Sequence, residues 1–532
     1  MTTRVPASMF GGFLTPESFG AKGDNSTDDT AAINAAATAA GDWGQVFLNP
    51  AKTYRVTASI TPRTGQRWFG GGKLTTANGY NFNLFQLTGK TDVTIEGLRA
   101  ESGNLGAAYT PATARFVAAT AGSHRCRVLR CHVTGFQSAI QFNASANCLA
   151  EDNEIVSPIG WGINVQTDAD DVCVRNNRIT GVASVAISAI TAANPAVVTT
   201  SSAHGFATGD YVVVRLVGGM TQMLNKTSRI TVVDATSFRM DDVDASAYTA
   251  YTSGGWVRNR LLEHGVYVAG SSGNNVRAPI VASNRVTLAA IDGVKVSYAD
   301  DTQVTGNVCL NNGGEGVYVT IGATRTLVEA NTVEGNSNGV IVYTGTASDV
   351  VDRTRVVNNV SRKNLKNGIS VTDAGTGAVT NTWVAGNEVD DNDQDGTTTQ
   401  YGIVVSGGSS NTGTVVAGNR ISNEATGLVV ASGVVSARLE DNVFAGNSTN
   451  LSDSGTTTVI DQVTRGVTAS VADGGTITHG HPKTPTSVRC TSSVSGEFIS
   501  VTAIGATTFT VAIKKHDNSA GTTQTVYWDA AG

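Results

Sequence analysis

Two columns of residues, drawn from segments far apart in the chain, carry the chemistry. The residue before a recurrent glycine reads His264, Asp292, Glu315, Asn338, Asn367, Tyr401, Thr426. The residue between the two apolar positions that follow reads Asn164, Tyr267, Lys295, Tyr318, Ile341, Ser370, Val404, Val429. From 264 to 318 they supply one imidazole, two carboxylates, one ammonium and two phenols. Paired carboxylates suit acid-assisted cleavage of a glycosidic bond, with retention when they lie about 5 Å apart and inversion when further. In that scheme Glu315 is the proton donor and Asp292 its partner. Tyr267 and Tyr318 stack on sugar faces, Lys295 holds an acidic sugar, and Asn164 and Asn338 add polar contacts. An eliminating enzyme would use His264 or a tyrosine as base and Lys295 to neutralise the uronate. The structural alternative stays open: corner acids cap backbone groups, and Lys295 pairs with Asp292 or Glu315 on the surface. A second acidic group, Asp390, Asp391, Asp393 and Asp395, reads as a solvated turn or a groove-side loop. His204, His479 and His481 read as turn or surface residues.

Such columns need a chain that winds with a steady step. The pattern is Asn-x-Val followed by Gly-Val-x-Val, as in Asn307-Val308-Cys309 with Gly316-Val317-Tyr318-Val319. Its leading asparagines are 23, 24, 28, 28, 32 and 23 residues apart from Asn284 to Asn442. That length fits a solenoid coil of short strands. Alternation puts the Val pair inside and the residue between them outside, and successive coils stack about 4.8 Å apart. Stacked asparagines can exchange amide hydrogen bonds at one corner. The expected fold is all-β: a right-handed parallel β-helix with an inserted small β domain and a C-terminal β-rich domain. A leucine-rich solenoid lacks its Leu-x-x-Leu-x-Leu signature here, and an antiparallel sandwich is the other rival.

Residues 1–40 read as a lead and a capping helix over Thr30 to Ala40, with Thr27 or Asp28 as cap. Residues 41–189 and 257–450 read as the two parts of the β-helix. Asn176 and Asn259 both follow Val-Arg and look equivalent, which places an insertion, with strands at Asn194 to Val198 and Asp210 to Val214, over 190–256. Residues 451–532 form the C-terminal domain, for oligomerisation or glycan binding. The outward aliphatics Ile341, Val404 and Val429 suggest a covered surface, as side-by-side β-helices would provide.

Composition narrows the classes. Charged residues are 15% of the chain and the net charge is -6, with 60 glycines. No basic stripe marks a nucleic-acid partner. The six cysteines, Cys126, Cys131, Cys148, Cys173, Cys309 and Cys490, lack metal or disulfide spacing and read as buried thiols. No cofactor or metal site is specified. No apolar leader or long apolar run predicts secretion or membrane insertion, which fits assembly in a reducing cytoplasm.

The segment Ser18-Phe19-Gly20-Ala21-Lys22-Gly23-Asp24, followed by Thr27-Asp28-Asp29-Thr30-Ala31-Ala32-Ile33, resembles the opening of the pectate-lyase-like parallel β-helix superfamily. That opening is common in bacteriophage tailspikes. The insertion, through Ala203-His204-Gly205-Phe206, Gly209-Asp210 and Ala250-Tyr251-Thr252-Ser253-Gly254-Gly255, resembles a small module of phage tail proteins. The resemblance implies a tailspike that binds and depolymerises a bacterial surface polysaccharide, capsule or lipopolysaccharide, by hydrolysis or lyase chemistry. It also implies a homotrimer, other virion tail proteins as partners, and a place on the virion tail, acting at the host surface. A non-catalytic receptor-binding or structural tail protein is the alternative, and a cellular carbohydrate enzyme is third. The Asp300-Asp301 and Asp390-Asp391 pairs occur without the other polygalacturonase motifs, and no Asp-Pro-His-Glu motif of alginate epimerases is present. Neither activity carries over.

Overall fold

The structure is a computed structural model describing residues 12–77, 79–103, 114–224, 226–259, 262–345, 349–373, 377–394, 400–456, 458–461, 463–481 and 484–531. Three parallel sheets of 14, 14 and 12 strands form a right-handed β-helix, most coils adding one short strand to each sheet. The chain divides into two compact units, residues 1–341 and 342–532.

Unit one opens with the helix Thr30–Ala40, as expected, burying Ile33, Ala36, Ala37 and Ala40 on one face. Asp28 caps it: one carboxylate oxygen accepts the Thr30 N–H at 3.0 Å and the Thr30 hydroxyl at 2.5 Å. Asp29 takes the N–H groups of Lys22 and Gly23 at 2.6 and 3.0 Å, and Asp24 those of Ser26 and Thr27 at 2.9 and 2.8 Å. The acidic residues of the opening motif therefore satisfy its loop backbone.

Most coil strands span three residues with the middle one buried, as in Leu149–Glu151 and Leu327–Glu329. The corner between the first two sheets is a left-handed residue followed by a buried asparagine. Asp152, Asn176, Ser283, Gly306 and Ala330 have φ of 56°, 57°, 55°, 64° and 54°. The next residues, Asn153, Asn177, Asn284, Asn307 and Asn331, are at most 1% exposed and form a ladder. Asn307 is representative. Its N–H and Nδ2 donate to Asn331 Oδ1 at 2.8 and 3.0 Å, Nδ2 also donates to the Val281 carbonyl at 2.8 Å, and its own Oδ1 accepts both donors of Asn284. All four amide hydrogen-bonding positions are filled.

The ladder corrects one expectation. Asn177 donates to Asn284, 107 residues on, whereas Asn176 is the left-handed residue before it and Asn259 follows a barrel strand. The insertion is a closed six-stranded barrel whose first strand is Val185–Ile190 and last Ser253–Arg258. Closure removes the sheet edges, and Val198, Val212, Val214, Ile230, Phe238 and Met240 fill the interior.

In unit two the same ladder runs through Asn359, Asn387, Asn419 and Asn442. Beyond it, two three-stranded antiparallel sheets enclose Phe509, Val511, Ile513, Val526 and Trp528. Val404 is only 5% exposed within its own chain, so the three outward aliphatics do not form one bare strip. The six cysteines are free, Cys173 and Cys490 being half-buried and the others buried. Among the described residues, no helix is long and apolar enough to cross a membrane.

Candidate functional site

The third sheet positions the candidate residues of unit one through strands Trp161–Gln166, His264–Ala269, Val294–Ser297, Glu315–Thr320 and Asn338–Thr344. Val266, Val294 and Val317 form one fully buried row, and Val268, Val296 and Val319 another. Between them Asn164, Tyr267, Lys295 and Tyr318 lie in direct register on neighbouring strands. Glycines hold the turn into these strands. A Cβ on Gly293 would lie 2.6 Å from the Gly316 carbonyl oxygen and 2.8 Å from Cys309 Sγ, so any larger residue would force the coils apart.

The corner column is contiguous. His264 Nδ1 lies 3.1 Å from Asp292 Oδ2, close enough for an ion pair but not aligned for a hydrogen bond. Asp292 Oδ1 accepts the Glu315 N–H at 2.9 Å. Glu315 Oε2 accepts the Asn338 N–H at 3.2 Å and its Nδ2 at 2.8 Å. Each carboxylate thus caps the next coil. Asp292 is 2% exposed, His264 5% and Asn338 6%, whereas Glu315 is half-buried. Of the two acids, Glu315 is the one open to a ligand.

Lys295 does not pair with either acid. Its Nζ lies 5.4 Å from the ring centroids of both Tyr267 and Tyr318, an ammonium between two π faces. The Tyr267 ring lies 4.8 Å from His264 and 6.0 Å from Trp161. Trp161 is an addition to the sequence reading. It stands beside His264 in register, one coil earlier in the same pre-glycine column, and its buried Nε1 has no hydrogen-bond partner among the described residues. Asn164, fully buried, likewise leaves both amide atoms unpartnered among the described residues. Unpaired buried amides are costly, and a polar ligand is one way to satisfy them.

The second acidic group belongs to unit two. Asp390 accepts the Ser422 hydroxyl at 2.7 Å and Asn423 Nδ2 at 2.8 Å, a corner-capping role. Asp391 and Asp393 occupy left-handed turn positions, φ 52° and 66°, and Asp395 lies outside the described residues. Close by, Glu424 replaces asparagine in a second internal ladder. Its Oε1 accepts Asn392 Nδ2 at 2.8 Å while Oε2 is buried without a partner. Burial, reinforced by Asp390 and Asp391, pushes its carboxyl up to about 7.

His204 and His479 are buried turn residues, not surface ones. In each, Nδ1 accepts the N–H two residues on, at 2.9 Å, across a left-handed glycine, and Nε2 faces a carbonyl. His481 is the residue whose N–H caps His479, and it too is buried.

Residues 246–480 match the family model "Periplasmic copper-binding protein (NosD)", and residues 193–260 match "Ubiquitin-activating enzyme E1 FCCH domain". Copper needs converging imidazole or sulfur donors. His264 faces a carboxylate, Cys309 packs against Gly293, and His479 is spent on its own turn. Among the described residues no three His, Cys, Asp or Glu could hold a metal. The residues present do not fit a copper site. No curated protein matches the sequence. Among solved structures, two mutant tailspike proteins of E. coli bacteriophage HK620 in complex with a pentasaccharide are similar. One is 9% identical, with a TM-score of 0.51 over 98% of this chain and 94% of that one. The other is 10% identical, with a TM-score of 0.51 over 98% and 93%. The A-module of the Azotobacter vinelandii mannuronan C-5 epimerase AlgE4 is 15% identical, with a TM-score of 0.49 over 84% and 99%. At these identities the tailspike likeness speaks for the fold alone. The chain is a large right-handed parallel β-helix, related in fold to phage tailspikes, with a small closed β-barrel inserted in its coils.

Proposed function

We propose that this chain is a tailspike-type protein that binds a bacterial surface polysaccharide across the outer face of the third sheet and depolymerises it. The observation that carries the reading is the register of Tyr267, Lys295 and Tyr318 on three consecutive coils, beside the half-buried Glu315. Aromatic rings at coil spacing give sugar faces something to stack on. Relatives in fold were solved with a pentasaccharide bound, which supports a glycan as ligand. In this reading Glu315 donates the proton to the departing glycosidic oxygen. Asp292, buried behind it, holds the Glu315 backbone and faces His264, so it acts as a positioning residue. Work at the host surface from the virion tail, within a homotrimer and beside other tail proteins, belongs to the same proposal.

The test is to incubate the purified chain with capsule and lipopolysaccharide glycans and weigh the products. Hydrolysis adds a water to each cleaved chain, and elimination leaves an unsaturated sugar. Shortened chains of either kind support the reading. A second reading, a receptor-binding tail protein without cleavage, is favoured by the capping duties of both acids. Tight binding to intact polymer with no product decides for it.

A further inference from the structure

We propose, resting on the glycan reading above, that the ligand is an anionic polysaccharide and that Lys295 reads its charged substituent, carboxylate or sulfate. Several arginines on these coils are paired with a carboxylate, whereas Arg127, Arg178 and Arg285 form no ion pair among the described residues. Arg67 and Arg130 both reach Glu96, Arg125 pairs with Asp92, Arg175 with Glu151 and Arg325 with Asp301. In each case a carboxylate one coil step away neutralises the guanidinium. Lys295 has no ion-pair partner among the described residues, although Asp292 and Glu315 are near it in the fold. Both of those acids are engaged with N–H groups of the following coil. The ammonium is instead held between two phenol rings, which fix its position without cancelling its charge. A sugar stacked on Tyr267 or Tyr318 would bring a charged substituent to Nζ, while a neutral sugar would desolvate the ammonium with nothing in return.

The inserted barrel supplies an independent observation. Arg258, 4% exposed, lies over the Trp256 ring at 4.6 Å and donates Nη1 to the Leu288 carbonyl at 2.8 Å. Its Nε and that of the half-buried Arg215 are buried without hydrogen-bond partners among the described residues. Loss of solvation, with repulsion from Arg215, pulls the Arg258 guanidinium down to about 10. Glu263 attracts Arg215, yet no carboxylate among the described residues forms an ion pair with either arginine. The barrel packs Val213 and Trp256 against Ala290, and the segments touched, Glu263 and Leu288 to Ala290, run directly into His264 and Asp292. Positive charge without an ion-pair partner among the described residues therefore stands next to the corner column as well as within the outward one, on a chain whose net charge is -6.

The experiment measures equilibrium binding of the full chain to polygalacturonate, to polysialic acid, to the carboxyl-reduced form of each, and to dextran sulfate beside dextran. Wild type should bind at least one charged polymer about tenfold or more tightly than its neutral counterpart, and less tightly as salt rises. Lys295→Gln should bring that ratio close to one with an unchanged melting temperature, and Lys295→Arg should keep most of it. The carboxylate and sulfate arms tell which anion is read. Equal binding of charged and neutral forms, or a ratio that survives Lys295→Gln, overturns the inference and leaves the glycan reading standing. Failure to bind any polymer, including host capsule and lipopolysaccharide, sinks both.

Discussion

Two corners of the same coils use one device for opposite ends. In the asparagine ladder, Asn153, Asn177, Asn284, Asn307 and Asn331 present an identical amide at every step, fully buried and fully bonded. At the start of the third sheet, Asp292 and Glu315 likewise cap a neighbouring coil through carboxylate oxygens, in a column whose residue type changes at each step from His264 to Asn338. A corner needing only backbone satisfaction is served best by asparagine, which donates and accepts at once. Carboxylates cap a neighbour but cannot donate, so a column of them gains nothing structural over asparagine. Under the proposed function, the difference marks where activity has displaced architecture. It also sorts the consequences of mutation, since a ladder residue should fail in stability and a column residue in activity.

The largest effect is expected from Asn307→Ala. It strips the acceptor from two Asn284 donors and empties the site that Asn331 serves, leaving several buried polar groups unpaired. At about 1–3 kcal/mol for each such group, a loss of about 4 kcal/mol is expected, read as a lower denaturation midpoint. Glu315→Gln should do the reverse. The amide oxygen still accepts from Asn338, so the midpoint should hold within about 0.5 kcal/mol, while polymer cleavage falls at least about 100-fold. If Glu315→Gln unfolds the chain as Asn307→Ala does, the contrast between the corners is lost. If it melts normally and still cleaves, Glu315 is a cap and nothing more.

A third comparison lies within the second ladder, where Glu424 stands in for asparagine. A carboxyl whose folded pKa is raised contributes stability that is complete below its unfolded value, near 4.5, and lost as pH climbs through about 7. The wild-type chain should therefore melt progressively lower between pH 5 and pH 8. Glu424→Gln, neutral throughout, should match it at pH 5 and exceed it by about 2 kcal/mol at pH 8. Identical melting curves at the two pH values in wild type would show that the buried acid does not titrate there.

Much of the frame was legible because winding writes itself into sequence. The Asn-x-Val and Gly-Val-x-Val phrases give the coil, the alternation gives the inside, and Tyr267, Lys295 and Tyr318 fall in register as the period requires. What was not legible depended on interruptions and on side-chain direction. With the barrel inserted, Asn284 comes 107 positions after Asn177, which hid the true corner behind the look-alike Asn176 and Asn259. Trp161 precedes Gly162 as His264 precedes Gly265, and extending the corner column back by one coil, as the outward column already reaches Asn164, finds it. The burial of Asp292 and Val404, and the choice of Lys295 for tyrosines over acids, are decided by rotamers and neighbouring coils, which no periodicity encodes.

The smallest effect tests whether stacking alone stabilises. Arg125 and Asp92 are joined by two parallel hydrogen bonds, both 2.8 Å, across one coil step, a contact as regular as any in the ladder. Yet the Arg125 side chain is 58% exposed, so water already solvates what the pair would gain. Arg125→Ala should cost no more than about 0.5 kcal/mol, and less in high salt. Set against Asn307→Ala, an eightfold contrast in cost would then separate two inter-coil contacts of similar geometry. Burial, and not the repeat of the contact from coil to coil, would account for it. A loss from Arg125→Ala approaching that of Asn307→Ala would mean that the coils are held as strongly from outside as from within.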